Sequence, residues 1–150
     1  MIAIDLNGTI KTFSKLPKVW NDANGTHLNI IDGEVFGFYP VVVPTFDSRI
    51  QELSTIYFSN NTFTYDVIEV PIKETLAELK VNKIAQLKAM VGNKLSETDW
   101  YIIREADTGV ATPQDVKDAR AALRAQSNTI EAEVNALSTK KAVVLFDINI

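Results

Sequence analysis

Residues 95–124, LSETDWYIIREADTGVATPQDVKDARAALR, contain two helix starts and the clearest turn signal of the chain. Thr98 and Asp99 favour an N-cap, and an apolar run opens directly after them at Trp100. Gly109 can adopt the left-handed conformation that ends many helices. The stretch therefore predicts a short helix, a tight turn and a second helix.

The second helix is predicted to run from Pro113 to Ser138. Thr112 is expected to cap it, with Pro113 at the first helical position, where a missing N–H is tolerated. Apolar residues recur every seven positions along it, at Val116, Leu123, Ile130 and Leu137. The positions between them are weak, which predicts a packing face against another helix and not a long independent coiled coil.

This stretch resembles the core of the phage tail fibre assembly chaperones and related phage tail assembly proteins. The matching residues are Thr98, Asp99, Trp100, Arg104, Gly109, Pro113, Arg120, Leu123 and Arg124. The family has an aromatic residue before the first arginine of the last motif, whereas this chain has Ala119. Whatever that ring packs against must therefore differ here.

The resemblance implies an accessory protein or chaperone of viral (bacteriophage) tail fibre assembly, acting through protein–protein interaction in the host cytoplasm. It would bind the tip of a tail fibre and shield unpaired strand edges and apolar surface until the fibre folds. The alternative is a structural virion protein of the tail, baseplate or fibre. The expected partner is a tail fibre or tail protein, with a homo-oligomer as a further alternative.

Four residues of this stretch are candidates for partner contact: Trp100, Arg104, Arg120 and Arg124. Arg120 and Arg124 lie one helical turn apart and are expected to share a face. They either bridge to Asp99, Glu105 or Asp107 within the chain or present a guanidinium pair to a partner. Trp100 either anchors the short helix onto the long one, at the centre of the helical half, or contacts a partner.

Composition restricts the class of protein. The 150 residues carry a net charge of −4 and no cysteine, and 46% of them are hydrophobic. An acidic chain is a poor match for nucleic acid, and no apolar run reaches the length of a membrane helix. The chain is therefore not expected to bind nucleic acid or a membrane, and no secretory signal is visible.

The period of the apolar residues changes at Pro71. Residues 74–91 follow helical spacing, and Gly92-Asn93 is predicted to end that helix. An α+β fold is therefore expected, with a β-rich domain at 1–72 and a helical module with a terminal strand at 73–150. That terminal strand is the apolar run Ala142–Phe146, predicted to pair within the chain or to add to the sheet of a second chain.

The β-rich half is predicted to begin with a hairpin around Asn7-Gly8. A two-residue turn pairs Ile4 with Lys11, whereas a three-residue loop pairs Leu6 with Ile10. The second register is favoured, because it gathers four apolar residues on one face.

The rest of that half is predicted as short extended segments. A loop spans residues 16–25 with Val19 and Trp20 packing inward, and two strands follow at 26–31 and 34–38. Residues 39–44 are predicted to form an edge strand or an extended segment on the surface, because Pro40 and Pro44 cannot donate to a strand ladder. A hairpin around residues 59–61 joins strands at 53–58 and 62–70.

No residue pattern indicates catalysis, a metal or a cofactor. His27 is the only histidine and has no recognisable catalytic or metal-binding partner in sequence, so it is interpreted as structural. Asp99, Glu105 and Asp107 are interpreted as capping or ion-pairing residues. The chain is therefore not expected to be an enzyme.

Overall fold

A computed structural model describes residues 1–150, and the chain divides into two compact units, Met1–Val70 and Pro71–Ile150. The first unit is antiparallel and β-rich, and the second is helical, so the predicted α+β class is confirmed. The sequence placed the division between residues 72 and 73. No helix has the length and apolar character that crossing a membrane requires.

The β-rich unit consists of nine short strands and one 3-10 turn. The strands are β1 (Ile2–Leu6), β2 (Thr9–Phe13), β3 (Val19–Asp22), β4 (Gly25–Leu28), β5 (Tyr39–Pro40), β6 (Gln51–Leu53), β7 (Tyr57–Ser59), β8 (Thr62–Thr64) and β9 (Val67–Glu69), and the 3-10 turn is Glu34–Phe36. They form one three-stranded sheet, in the order β2-β1-β5, and three two-stranded ribbons, β3-β4, β6-β9 and β7-β8.

The first hairpin forms as predicted, but in the other register. Ile4 lies opposite Lys11, across a two-residue turn in which Asn7 and Gly8 both have positive φ. The backbone twist of that turn suits the flanking strands, and the Asp5 carboxylate accepts a bond of 2.7 Å from the Gly8 N–H. The prediction weighed aliphatic residues and neglected Phe13, which this register places opposite Ile2.

An aromatic cluster holds the first part of this unit together. The rings of Phe13, Trp20 and Phe38 meet edge to face, with centroids 4.9–6.4 Å apart. Gly33 lies so close to the chain beside Phe38 that a Cβ there would be only 2.8 Å from Leu16 Cδ1. The edge-to-face contacts of Trp20 with Phe13 and Phe38 show that its side chain packs inward, as predicted.

Three details of this region were predicted wrongly. The segment expected to be a loop at 16–25 contains β3, which pairs with β4. Val19 is 51% exposed, because strand side chains alternate and its neighbour Trp20 takes the inner face. The strand expected at 34–38 is largely the 3-10 turn Glu34–Phe36, which ends at Gly37 in the left-handed conformation.

The edge strand and the last hairpin agree with the sequence in outline. β5 lies at the edge of its sheet, beside β1. The hairpin turns at Asn60-Asn61, but its two arms pair in two separate stretches, β7-β8 and β6-β9. Between them the Ser54 hydroxyl accepts from the Asp66 N–H at 2.8 Å, so a side chain replaces one bond of the ladder.

The helical unit contains four helices: α1 (Leu76–Ser96), α2 (Asp99–Thr108), α3 (Gln114–Ala136) and α4 (Lys140–Leu145). The Thr75 hydroxyl accepts from the Glu78 N–H, and the Glu78 carboxylate accepts from the Thr75 N–H at 2.8 Å. This capping box explains where α1 begins. The predicted end at Gly92-Asn93 is wrong: α1 continues to Ser96, since Val91 and Leu95 pack against the core.

The core of this unit lies between α1 and α3. Leu87, Val91, Ile130 and Val134 are its buried members. Ile130 belongs to the predicted seven-residue repeat, and this face of α3 packs against α1 as expected. The positions predicted to be weak are Ala119, Gln126 or Ser127, and Val134. Ser127 and Val134 are buried, and Arg120, next to Ala119, is a buried polar residue.

The predicted terminal strand is wrong. Residues 140–145 form α4, whose start is capped by the Thr139 hydroxyl accepting from the Ala142 N–H. Val143 is fully buried. An apolar run of this length fits a buried strand and a buried helical turn equally well, and the Thr139 cap favours the helix. The remaining residues, 146–150, lie beyond α4 without regular structure.

Candidate partner-binding site

The predicted helix–turn–helix is formed by α2, the turn after it and the start of α3. α2 ends at Gly109, whose φ is +73° and whose N–H donates to the backbone oxygen of Glu105 at 3.0 Å. The Thr98 hydroxyl does not cap α2; it donates to the Leu95 oxygen at 3.1 Å. The short helix is thus tied back to the end of α1.

Arg120 fixes this turn from inside. Its side chain is buried on α3 and reaches three oxygens: Leu95 O at 2.7 Å, Thr98 Oγ1 at 2.6 Å and Asp99 Oδ1 at 2.8 Å. The planar guanidinium carries five N–H donors in a fixed fork, which suits acceptors that lie on different elements. Of the two alternatives for Arg120, the bridge to Asp99 within the chain is confirmed, and a residue that is 9% exposed and bonded to three oxygens is a poor partner contact.

Arg124 does not share the environment of Arg120. It is exposed on α3 and makes no hydrogen bond or ion pair. The expected pair of arginines on one face is therefore absent. A difference of four positions on a helix turns the side chain by only about 40°, yet that suffices here to move it from the α1–α3 seam to solvent.

Thr112 and Pro113 take different places from those predicted. Pro113 is itself the N-cap residue of α3. Thr112 is buried, and its hydroxyl donates to the Tyr101 oxygen at 3.1 Å, which joins the turn to α2. Thr112 also hydrogen-bonds Glu105, and Lys117 lies 3.0 Å from that carboxylate, so the pKa of Glu105 falls below its usual value.

Trp100 is the reverse of Arg120. It is 50% exposed, and its ring lies 3.8 Å from that of Tyr101, the next residue on α2. The expectation that Trp100 fills the centre of the helical unit is wrong. The core is supplied by α1 and α3, and α2 contributes no buried residue to it.

Arg104 lies over the same two rings. Its guanidinium carbon is 5.0 Å from the Trp100 centroid and 5.4 Å from that of Tyr101, within the range of a cation–π interaction. The Arg104 Nε is buried and has no hydrogen-bond acceptor. No carboxylate pairs with this side chain, so the charge is held by aromatic rings alone.

Exposed aliphatic residues lie beside this group, two of them on α2 and one just after its C-cap, Gly109. Ile102, Ile103 and Val110 are all exposed, Ile103 to 66%. We refer to Trp100, Tyr101, Ile103, Arg104 and Val110 as the outer face. Sequence reasoning missed three of its members, although an apolar run that covers more than one side of a ten-residue helix indicates a face with no partner inside the chain.

The β-rich unit contains an open cleft with polar side chains in its lining. The cleft has a volume of about 650 Å³ and is lined by Asp5, Lys11, Trp20 and Asp22, among others. His27 Nε2 lies 3.0 Å from Asp22 Oδ1, and this hydrogen bond lowers the pKa of Asp22. The histidine thus stabilises the β3-β4 ribbon, and no group of three or more His, Asp or Glu side chains is placed to hold a metal.

Comparison with known proteins adds no relative. No protein-family model, no curated protein and no solved structure matches this chain.

Proposed function

We propose that this chain is an accessory protein of phage tail fibre assembly, which binds the tip of a tail fibre through the outer face of α2. The residue pattern at 98–124 supports the assignment to fibre assembly. The observation that carries the choice of surface is the exposed Trp100–Arg104 group, which lies on a helix that contributes nothing to its own core.

The chemistry of the outer face suits a protein partner. Tryptophan and arginine are the residues most often found at the energetic centres of protein interfaces. Arg104 has no carboxylate partner within the chain and its charge lies over two aromatic rings, so a carboxylate of the fibre would supply the missing ion pair. Ile103 would lose water-exposed apolar surface on binding.

Arg120 has an indirect part in this proposal. It ties Leu95, Thr98 and Asp99 together and so fixes where α2 starts and how it is rotated. A rigidly placed surface binds with a smaller loss of conformational freedom than a mobile one. The same motif therefore supplies both a contact surface and its support.

The test is co-expression with the product of the adjacent fibre gene, followed by pull-down on a tagged copy of this chain. The wild-type chain is expected to retain fibre and to increase its soluble amount. Trp100→Ala combined with Arg104→Ala is expected to lose this retention, while Val81→Ala, at an exposed apolar position of α1, keeps it.

Two results would contradict the proposal at different levels. Retention of fibre by the Trp100→Ala/Arg104→Ala chain would show that another surface binds. Failure of the wild-type chain to retain or solubilise any fibre would remove the assembly function itself.

A structural virion protein is the second candidate. The separate β-rich unit favours it, because a docking or receptor-facing part needs a stable body of its own with exposed apolar residues such as Phe58 and Val42. Mass spectrometry of purified virions separates the two candidates. Stoichiometric presence favours a structural protein, and absence favours a chaperone that leaves after assembly.

A further inference from the structure

The last five residues of the chain, Phe146–Ile150, lie on the α1–α3 core as a strap. Phe146, Ile148 and Ile150 pack against it and are partly buried, while Asp147 and Asn149 point to solvent. This alternation is typical of an extended chain, in which successive side chains face opposite ways. We call these residues the tail, and the surface that they cover the tail groove.

The tail is held through its backbone as well as its apolar side chains. Lys83 donates to the Phe146 oxygen at 3.0 Å, Gln126 to the Asn149 oxygen at 3.0 Å and Lys94 to the Ile150 oxygen at 2.5 Å. Lys83 and Lys94 are about 17 Å apart along α1, and four residues of extended chain span about 13 Å. The tail therefore follows α1, with a donor near each end.

These donors do not select a side chain. Every residue has a backbone oxygen, so these lysine and glutamine donors would bond to an extended segment of any sequence. The requirement that remains is an extended backbone with apolar side chains at alternate positions. Ile84, Leu95 and Leu123 are partly buried hydrophobic residues of the same cluster and supply apolar surface for them. Many sequences of this pattern could fill it.

The tail is only partly buried on this core. None of its three apolar side chains is fully buried, and after the Phe146 N–H, which donates to the Val143 oxygen at the end of α4, the segment forms no helix or strand. The core beneath it is formed by Leu87 and Val134, both fully buried within α1 and α3. Removal of the tail would expose the groove and leave the two long helices packed.

We propose that the tail groove is a binding site for an extended segment of another protein, with apolar residues at alternate positions, and that the tail of this chain occupies it until such a segment displaces it. This inference depends on the contacts between the tail and the α1–α3 core and does not require the proposed function. A second copy is a poorer occupant, because exchanging identical tails forms no new contact and costs the entropy of association.

The experiment uses the full chain and a fluorescein-labelled peptide of residues 142–150, AVVLFDINI, as the probe. Ile148→Ser with Ile150→Ser loosens the tail by removing two of its apolar contacts. Asn149→Ser is the matched control, because it changes an exposed polar position of the same segment. Binding is measured by fluorescence anisotropy, and circular dichroism monitors the helices.

The loosened chain is expected to bind the peptide at least about tenfold more tightly than the wild-type and control chains, whose own tail competes at a high effective concentration. A peptide with serine at the positions of Ile148 and Ile150 should not bind. Equal binding by all three chains, or no binding by a loosened chain with native helical signal, would overturn the proposal.

Two other outcomes also count against it. A loosened chain that loses its helical signal would show that the tail belongs to the core and does not exchange. A concentration-dependent dimer of the wild-type chain, dissolved by the peptide, would assign the groove to the tail of a second copy and not to another protein.

Discussion

The inner side of the turn between α1, α2 and α3 and its outer face use the same residue type in opposite ways. On the inner side Arg120 is 9% exposed and donates to three oxygens. On the outer face Arg104 rests on two aromatic rings, and its buried Nε has no acceptor. Arg120 is bonded to three oxygens within the chain, whereas Arg104 has no ion-pair partner within the chain.

This difference separates stability from binding within a single motif. A buried donor whose partner is removed leaves unsatisfied groups behind, which is costly. Removing a half-exposed ring leaves no cavity and no unsatisfied polar group, so it changes the free energy of unfolding little. Substitutions on the inner side should therefore affect folding, and substitutions on the outer face should affect partner binding.

Arg120→Ala should have the largest effect on folding. It leaves Leu95 O and Thr98 Oγ1 without this donor and Asp99 without its ion pair, and we expect a loss of about 3 kcal/mol in the free energy of unfolding. Urea unfolding followed by circular dichroism at the helical band measures it.

Arg124→Ala is the matched control, one helical turn further along α3. Its side chain makes no hydrogen bond or ion pair, so the expected change is about 0.5 kcal/mol or less. Equal losses from the two substitutions would show that the inner side is not distinguished by the bonds of Arg120.

Thr112→Val tests the second bond on the inner side. The substitution keeps the volume but removes the hydroxyl that donates to the Tyr101 oxygen, and we expect a loss of about 1 kcal/mol. Thr112→Ser is the control, since it keeps the hydroxyl and removes only the methyl group. If the serine variant lost stability and the valine variant did not, packing would be the role of Thr112.

Trp100→Ala should cost less than about 1 kcal/mol in folding, because half of the ring is already in water and its cation–π contact with Arg104 is at the surface. The same variant should lose fibre in the pull-down. A loss of stability comparable to that of Arg120→Ala would place Trp100 with the inner side after all.

The sequence predicted the elements of this motif better than the burial of its residues. Pro113 and Gly109 predicted two helices and the turn between them, since these are local signals, although Thr98 and Thr112 do not cap the helices as expected. Arg120 and Arg124 have the same local pattern, and only the packing of α3 against α1 decides which of them is buried. The apolar run of α2 covers more than one side of a short helix and so indicated an uncovered face, but which of its residues are covered depends on α1 supplying Leu87 and Val91 to the core.

The terminal helix and the first hairpin failed for a related reason. A five-residue apolar run carries no period of its own, so α4 depends on the cap at Thr139 and on the buried position of Val143. In the hairpin, a count of aliphatic residues favoured one register, whereas the turn conformation of Asn7-Gly8 and the ring of Phe13 stabilise the other. Long, strongly periodic segments such as α1 and α3 left no such ambiguity.

Glu105 lies between the two regions and gives the smallest expected effect, a dependence on pH. Thr112 and Lys117 stabilise its charged form and lower its pKa from 4.5, so its contribution is complete above about pH 4.5 and disappears as the pH falls through the folded-state pKa. Glu105→Gln should therefore be less stable than the wild-type chain at pH 7, and the difference should shrink as the pH falls below 4.5. Glu133→Gln on the exposed side of α3 is the control, and Glu78, whose pKa is also lowered, acts equally in all three chains. Urea midpoints at several pH values measure the difference. A gap between Glu105→Gln and wild type that stays constant with pH would mean that the carboxylate acts through its shape and hydrogen bonds and not through its charge.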